Sequence, residues 1–188
     1  LYVSNPKADT VQGIHSYKDL IDLPNTELAI LAIPAKFCTQ TVQFLAEKKQ
    51  TKAFIIISAG FSETDAAGAK IEKEIVDIVE KNNAVLIGPN GIGVLTPHYH
   101  GVFTSPIPKL DPQGVDFISG SGATAVFITE LGIPNGLTFA SIYSVGNSAQ
   151  IGVEEVLEYM DINYQEGVSS KVKLLYLEQI EKPQKLLK

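Results

Sequence analysis

The chain has 188 residues, with 15 Lys+Arg against 21 Asp+Glu, a formal net charge of −6 and 45% hydrophobic residues. That apolar share can bury a core and is too large for a disordered chain, and the length suits one large domain or two small ones. No Lys/Arg block supplies the clustered positive charge that a nucleic-acid partner needs, and no apolar run reaches the ~18 residues of a membrane span.

Residues 1–7 (LYVSNPK) lack an initiator Met and the basic-then-apolar order of a signal peptide, and read as the middle of a longer chain. LAILAI at 28–33, AFIII at 53–57 and AVLI at 84–87 are continuous apolar runs, the pattern of strands buried on both faces. Helical patterns fill the gaps over 37–49 and 63–81. In the second, Ile71, Ile75, Ile78 and Val79 form one stripe facing a sheet, and Asn82-Asn83 supplies a stop. Strands alternating with helices at this spacing predict right-handed βαβ units and a parallel sheet. From 91 to 114 the pattern lapses into Pro, Gly, His and Thr, a candidate interdomain connection. The rhythm restarts with a strand at 115–118, a helix at 122–131, a strand at 139–143, a helix at 153–160 and a strand at 172–177. A Lys-rich end then reads as the start of another helix.

Ligands of open parallel sheets bind outside the carboxyl ends of the strands. Small and polar residues stand at those ends: Ser4-Asn5-Pro6-Lys7, Ile33-Pro34-Ala35, Ser58-Ala59-Gly60-Phe61 and Gly88-Pro89-Asn90-Gly91. Any one alone reads as an ordinary turn, whereas four on one sheet edge point to a ligand, with Lys7 as a cation for phosphate. Ser119-Gly120-Ser121-Gly122-Ala123-Thr124, between a strand and a helix, offers free amides and the positive end of a helix dipole to an anion. It is not a Walker A loop, for no Lys follows in register, and Ala123 stands where a nucleophile elbow needs Gly. Gly146-Asn147-Ser148 follows the next strand, and Glu178 ends the last one. His98 and His100 sit in a Pro/Gly loop without further ligands at metal spacing, and His15 reads as solvated. Cys38 is the sole cysteine, which excludes an intrachain disulfide and suits a reducing compartment. It reads as a small buried residue, and a cytoplasmic location is expected.

Taken in order, SNPK (4–7), IPAKFC (33–38), ISAGFSE (57–63), IGPNGIGV (87–94), ISGSGA (118–123), SVGNSAQIGVEEVLEYM (144–160) and YLEQI (176–180) resemble the NDP-forming acyl-CoA synthetases. That family includes ADP-forming acetyl-CoA synthetase and the succinyl-CoA synthetase α subunit. The resemblance implies an α/β fold: a Rossmann-like CoA-binding domain at 1–110, then a C-terminally truncated flavodoxin-like domain at 111–188. It implies coenzyme A bound by Asn5, Lys7, Pro34, Ala35, Ser58, Ala59, Gly60 and Asn90. Ser119, Ser121 and Gly122 would offer a helix N-terminus to phosphate or phosphohistidine, and Glu178 would orient the catalytic histidine. The implied activity is an acid–thiol ligase interconverting acyl-CoA, NDP and phosphate with a small carboxylic acid, CoA and NTP. ATP or ADP and Mg2+ would bind an ATP-grasp domain or β-type subunit outside these residues, in an oligomer. The family's first strand, its Gly-rich turn and its phosphohistidine are expected outside this sequence, which alone should not turn over. Gly120 replaces the family's more usual Gln or Arg. A non-catalytic CoA-binding regulatory module is the alternative. A nicotinamide-dependent oxidoreductase fits less well, because no Gly-x-Gly-x-x-Gly precedes an acid at the required distance.

Overall fold

The computed structural model describes residues 1–187. The chain opens with a small sheet in which β1 (Val3–Ser4) runs parallel to β3 (Ile14–Tyr17) and β2 (Thr10–Val11) runs antiparallel to it. Next come β4 (Leu28–Leu31), β5 (Ala53–Ile56) and β6 (Val85–Ile87), a parallel sheet in that order, linked by α1 (Ala35–Lys48) and α2 (Ala66–Lys81). Both crossovers step the same way, so right-handedness puts both helices on one face. Leu31, Phe54, Ile56 and Leu86 meet Val42, Leu45, Ile75 and Val79 there, each burial contributing about 1.5–3 kcal/mol. Helix α2 begins three residues later than its apolar pattern predicts, because Asp65 caps it by accepting from Gly68 N–H at 2.8 Å.

The alternate residues of these strands face the other way, and Ile30 and Val85 are 50% and 48% exposed. On that face Ile55 of the central strand is nevertheless buried, so the reading of burial on both faces holds for β5 and fails at Ile30 of β4 and Val85 of β6. A second difference concerns the loop at 4–7. It follows β1, which pairs with β3 and not with the β4–β6 sheet, so three of the four strand ends share one sheet edge.

The second unit contains β7 (Gly93–Thr96), β8 (Tyr99–Val102), β9 (Leu110–Ser119), α3 (Gly122–Gly132), β10 (Phe139–Ser144), α4 (Val153–Ile162), β11 (Lys173–Tyr176) and α5 (Pro183–Leu186). Its strand order is β11-β9-β10-β7-β8. The pairs β9–β10 and β9–β11 are parallel, as the βαβ rhythm predicts. The hairpin β7–β8 lies inside the stretch read as a connection and joins β10 antiparallel, Leu95 opposite Ile142, which makes the sheet mixed. Phe117 packs with Ala125 of α3, and its neighbour Ile118 with Val153 and Val156 of α4, so helices cover both faces. Within the sheet, Lys173 Nζ stands 2.6 Å from Asp116 Oδ2 while Ser141 donates to the other oxygen, which leaves this shielded charge satisfied. No helix among the described residues is long and apolar enough to cross a membrane.

The two units are laced together along 86–92 and 144–151. Leu86 N–H donates to Gln150 Oε1 at 2.7 Å, Asn147 N–H to the Pro89 carbonyl at 2.9 Å and Ile92 N–H to Ser144 Oγ at 3.0 Å. A single parallel bridge, Ile87 to Ile151, continues the β4–β6 sheet toward the second unit.

Candidate functional site

Three loops gather at the carboxyl edge of the β4–β6 sheet. Asn90 N–H donates to the Ser58 carbonyl at 2.9 Å, which ties the loop after β6 to the one after β5. Gly60, with φ of +103°, approaches α1 so closely that a Cβ there would lie 3.4 Å from Ala35 Cβ. Helix α1 starts after Pro34 with no side-chain cap and no acid in its first turn, and Lys36 stands there instead. Phe37 N–H donates to the Pro34 carbonyl at 2.9 Å, and the Ala35 and Lys36 N–H groups ahead of it keep their donors for an anion, in the field of the helix dipole and one lysine. Lys36 is a residue the motif spacing did not single out. Asn5 and Lys7 stand apart from this group. Asn5 N–H donates to Tyr17 O at 3.1 Å, and Asn5 Oδ1 accepts from Lys7 N–H at 2.9 Å, which folds 5–7 into a turn with an exposed lysine.

The serine-glycine turn lies at the carboxyl end of β9. The buried Ser119 hydroxyl donates to the Ser121 carbonyl at 2.7 Å and accepts from Ser121 N–H at 3.2 Å, so it shapes the turn. Ser121 Oγ caps α3 by accepting from Thr124 N–H at 3.4 Å. Gly120 N–H donates to Tyr176 O at 2.9 Å, and a Cβ on Gly120 would lie 3.6 Å from Glu178 N, so the turn and the exposed Glu178 are neighbours. A Cβ on Gly122 would lie 3.8 Å from Asn90 O, so the start of α3 faces the loop after β6. Strand ends of both units therefore meet at one place.

Beside that meeting is a cleft of about 520 Å³ whose lining includes Ser62, Glu63, Glu72, Asn147, Glu178 and Lys182; of the expected site residues Glu178 lines it, whereas Pro34, Ala35, Ser58, Ala59, Gly60, Asn90, Ser119, Ser121 and Gly122 do not. Asn147 is its central side chain. Its Nδ2 lies 2.6 Å from Glu63 Oε2, 2.8 Å from Glu72 Oε2 and 3.1 Å from Ser62 Oγ, and its Oδ1 accepts from Asn90 Nδ2 at 3.3 Å. Glu63 in turn accepts from Gly60 N–H at 2.6 Å and Phe61 N–H at 3.2 Å. Partial burial pushes the Glu63 carboxyl up, but the Asn147 amide and these backbone donors outweigh it and hold it below its ordinary 4.5. Ser62 and Glu63 lay inside a quoted motif and Asn147 in a noted turn, but Glu72 carried no signal, because its meeting with Asn147 depends on docking residues more than 70 apart. On the far wall, Lys182 Nζ bonds Glu155 Oε1 at 2.8 Å and its backbone N–H the buried Glu154, which straps the segment after Glu178 onto α4.

The remaining candidates lie away from this cleft. His15 packs edge-on against Tyr17, and His98 and His100 belong to the β7–β8 hairpin and its turn. No group of three metal-ligating side chains occurs among the described residues. Cys38 is buried, bonds weakly to the Ile33 and Pro34 carbonyls, and has its thiol pushed up to about 11 by burial.

Comparison with known proteins gives this arrangement a context. Residues 1–97 match the family model for a CoA binding domain, and residues 112–188 match that for a succinyl-CoA ligase like flavodoxin domain. The chain is 31% identical to an ADP-forming acetate–CoA ligase of Archaeoglobus fulgidus, over 100% of its own length and 27% of the relative's. It is 36% identical to the α subunit of ADP-forming acetate–CoA ligase II of Pyrococcus furiosus, covering 85% of this chain and 35% of that one. An ADP-forming 4-hydroxybutyrate–CoA ligase of Nitrosopumilus maritimus shares 32%, over 100% and 27%. The chain thus spans between about a quarter and about a third of these relatives. Among solved structures, a Pyrococcus horikoshii protein superposes with a TM-score of 0.86 at 34% identity, over 98% of this chain and 41% of that one. A Korarchaeum cryptofilum acetyl-coenzyme A synthetase, solved with phosphate and ADP, shares the fold at a TM-score of 0.84 and 24% identity, over 99% and 39%. The motif order, the two matched domains and the shared fold agree, and the chain belongs to the NDP-forming acyl-CoA synthetase family.

Proposed function

We propose that these residues form the CoA-binding unit, about 1–110, whose hairpin β7–β8 joins the sheet of the next unit, and part of the ligase unit, about 111–188, of an ADP-forming acid–CoA ligase. The reaction would interconvert acyl-CoA, ADP and phosphate with a small carboxylic acid, CoA and ATP. The observation that carries this reading is the meeting of the loops at 58–60 and 90 with the uncapped start of α1 on one side and the start of α3 on the other. In a chain of net charge −6, such local donors are what could hold an anionic ligand.

Coenzyme A fits the residues present. Gly60 leaves backbone open to close approach, Lys36 and the Ala35 and Lys36 amides of α1 suit a phosphate, and Lys7, exposed on the turn after β1, adds a further cation. When bound, CoA supplies the thiol that takes the acyl group. Ser58, Ala59 and Asn90 would line its approach, and the Ser121–Gly122 amides would face phosphate, with Ser119 keeping their turn in shape. Glu178, exposed at the cleft, would hold a proton-bearing or cationic group against it. ATP or ADP with Mg2+, and the ATP-grasp partner that binds them, belong to the same proposal, as does an oligomeric cytoplasmic assembly.

Titration calorimetry with CoA, desulfo-CoA and NAD, on the wild type and Lys7→Ala, tests the reading. The expected result is micromolar CoA binding, severalfold weaker in Lys7→Ala, with no heat from NAD. No CoA binding, or preference for NAD, would overturn it.

A further inference from the structure

The loop after β5 and the loop after β10 meet at the Asn147 side chain, and that junction has an unusual charge arrangement. Two carboxylates, Glu63 and Glu72, approach the same Asn147 nitrogen at 2.6 and 2.8 Å. Among the described residues neither carboxylate has a cationic partner. Like charges so close repel in a partly desolvated cleft, and the neutral amide, with its two N–H donors, lets both stay. Glu63 then passes the constraint on, because its carboxylate holds the Gly60 and Phe61 amides. From its other end, Asn147 Oδ1 accepts from Asn90. A residue of the second unit therefore touches or holds two of the strand-end loops assigned to CoA in the first. Its own loop cannot drift, since Asn147 N–H is fixed to the Pro89 carbonyl and Gly146 lies against the same carbonyl.

We propose that Asn147 is a positioning residue that sets the geometry of the loop at 58–61 from the second unit, so that the docking of the two units and the CoA site are energetically coupled. The coupling to CoA rests on the functional reading above, whereas the positioning of the loop does not. Asn147 has no assigned contact with the reacting atoms and acts through Glu63 and Asn90. Removing it takes a donor from both carboxylates, leaves Glu72 with Ser62, and loosens the amides that Glu63 holds. Replacing it by Asp substitutes a third negative group of nearly the same shape, which drives the carboxylates apart.

The test compares Asn147→Ala, Asn147→Asp and Glu63→Gln with the wild type by amide hydrogen exchange and by CoA titration. The Gly60 and Phe61 amides are expected to exchange roughly tenfold faster in Asn147→Ala and faster still in Asn147→Asp, while the Ile142 amide of β10 stays as slow as in the wild type. CoA affinity is expected to fall in the same order. Unchanged exchange at Gly60 and Phe61 would overturn the proposal. So would a rise there matched by an equal rise at Ile142, which marks general destabilisation. If the wild type does not bind CoA, the functional reading fails while the exchange data still decide the positioning.

Discussion

Gly146 measures how closely the two units are docked. Its φ is +56°, and a Cβ there would lie 2.0 Å from the Pro89 carbonyl oxygen and 2.9 Å from the Asn90 carbonyl carbon. Gly146→Ala therefore adds two costs. Holding an L-residue in the left-handed region costs about 1–2 kcal/mol. Relieving the overlap requires more than about 1 Å of backbone movement between 89–90 and 146, in the range of about 1–3 kcal/mol for overpacking. Gly136 supplies the reference, because its φ is +85° and a Cβ there meets nothing within 4 Å. Gly136→Ala carries the backbone cost alone. Urea unfolding of the two variants, followed by circular dichroism, should place Gly146→Ala below Gly136→Ala by about 1–3 kcal/mol, or roughly 2–10 °C in thermal midpoint for a chain of this size. Equal losses in the two variants would show that the 86–92 and 144–151 segments are not held together as described.

Two further expectations follow from titrating groups. Glu63 is held below its ordinary 4.5 in the folded chain, so the unfolded chain takes up that proton first as pH falls. Its contribution to stability is present above pH 4.5 and is lost as pH falls from there through the lower folded value. Glu63→Gln should accordingly flatten the acid limb of stability against pH, and an unchanged limb would refute the assignment. Cys38 is fully buried with its thiol near 11, so a thiol-reactive disulfide reagent at pH 8 should modify it only after denaturant is added. Rapid labelling of the native chain would contradict that packing.

The βαβ rhythm was legible because its signals are local. The runs at 28–33, 53–57 and 84–87 contain β4, β5 and β6, and the stripe of Ile71, Ile75, Ile78 and Val79 lies on α2. The hairpin β7–β8 was not legible. Gly93, Pro97, His98 and Gly101 have turn chemistry, and what makes these residues strands is pairing with β10 some 45 positions later. The face left open at Ile30 and Val85 was hidden for the same reason, since apolar continuity does not say what covers each side. At the site, the glycines and serines announced themselves as strand-end residues. The convergence of Glu63 and Glu72 on Asn147 did not, because nothing in the spacing of carboxylates encodes which turn of another sheet will reach them.

The hairpin β7–β8 also sets a timetable for synthesis. It leaves the ribosome ahead of β10, its only neighbour in the second sheet among the described residues, which follows roughly 40 residues later. At about 5–20 residues per second, the edge of β7 waits on the order of 2–8 s with its hydrogen-bonding groups unpaired. During that interval Val94 and Leu95, buried in the finished fold, have no sheet to enter. Nascent chains of this protein therefore pass through a period in which a short apolar ribbon is open to trigger-type chaperones or to other nascent copies. A pause in translation after β7–β8 has emerged from the ribosome but before β10 has would lengthen that period, whereas one after β10 has emerged would end it.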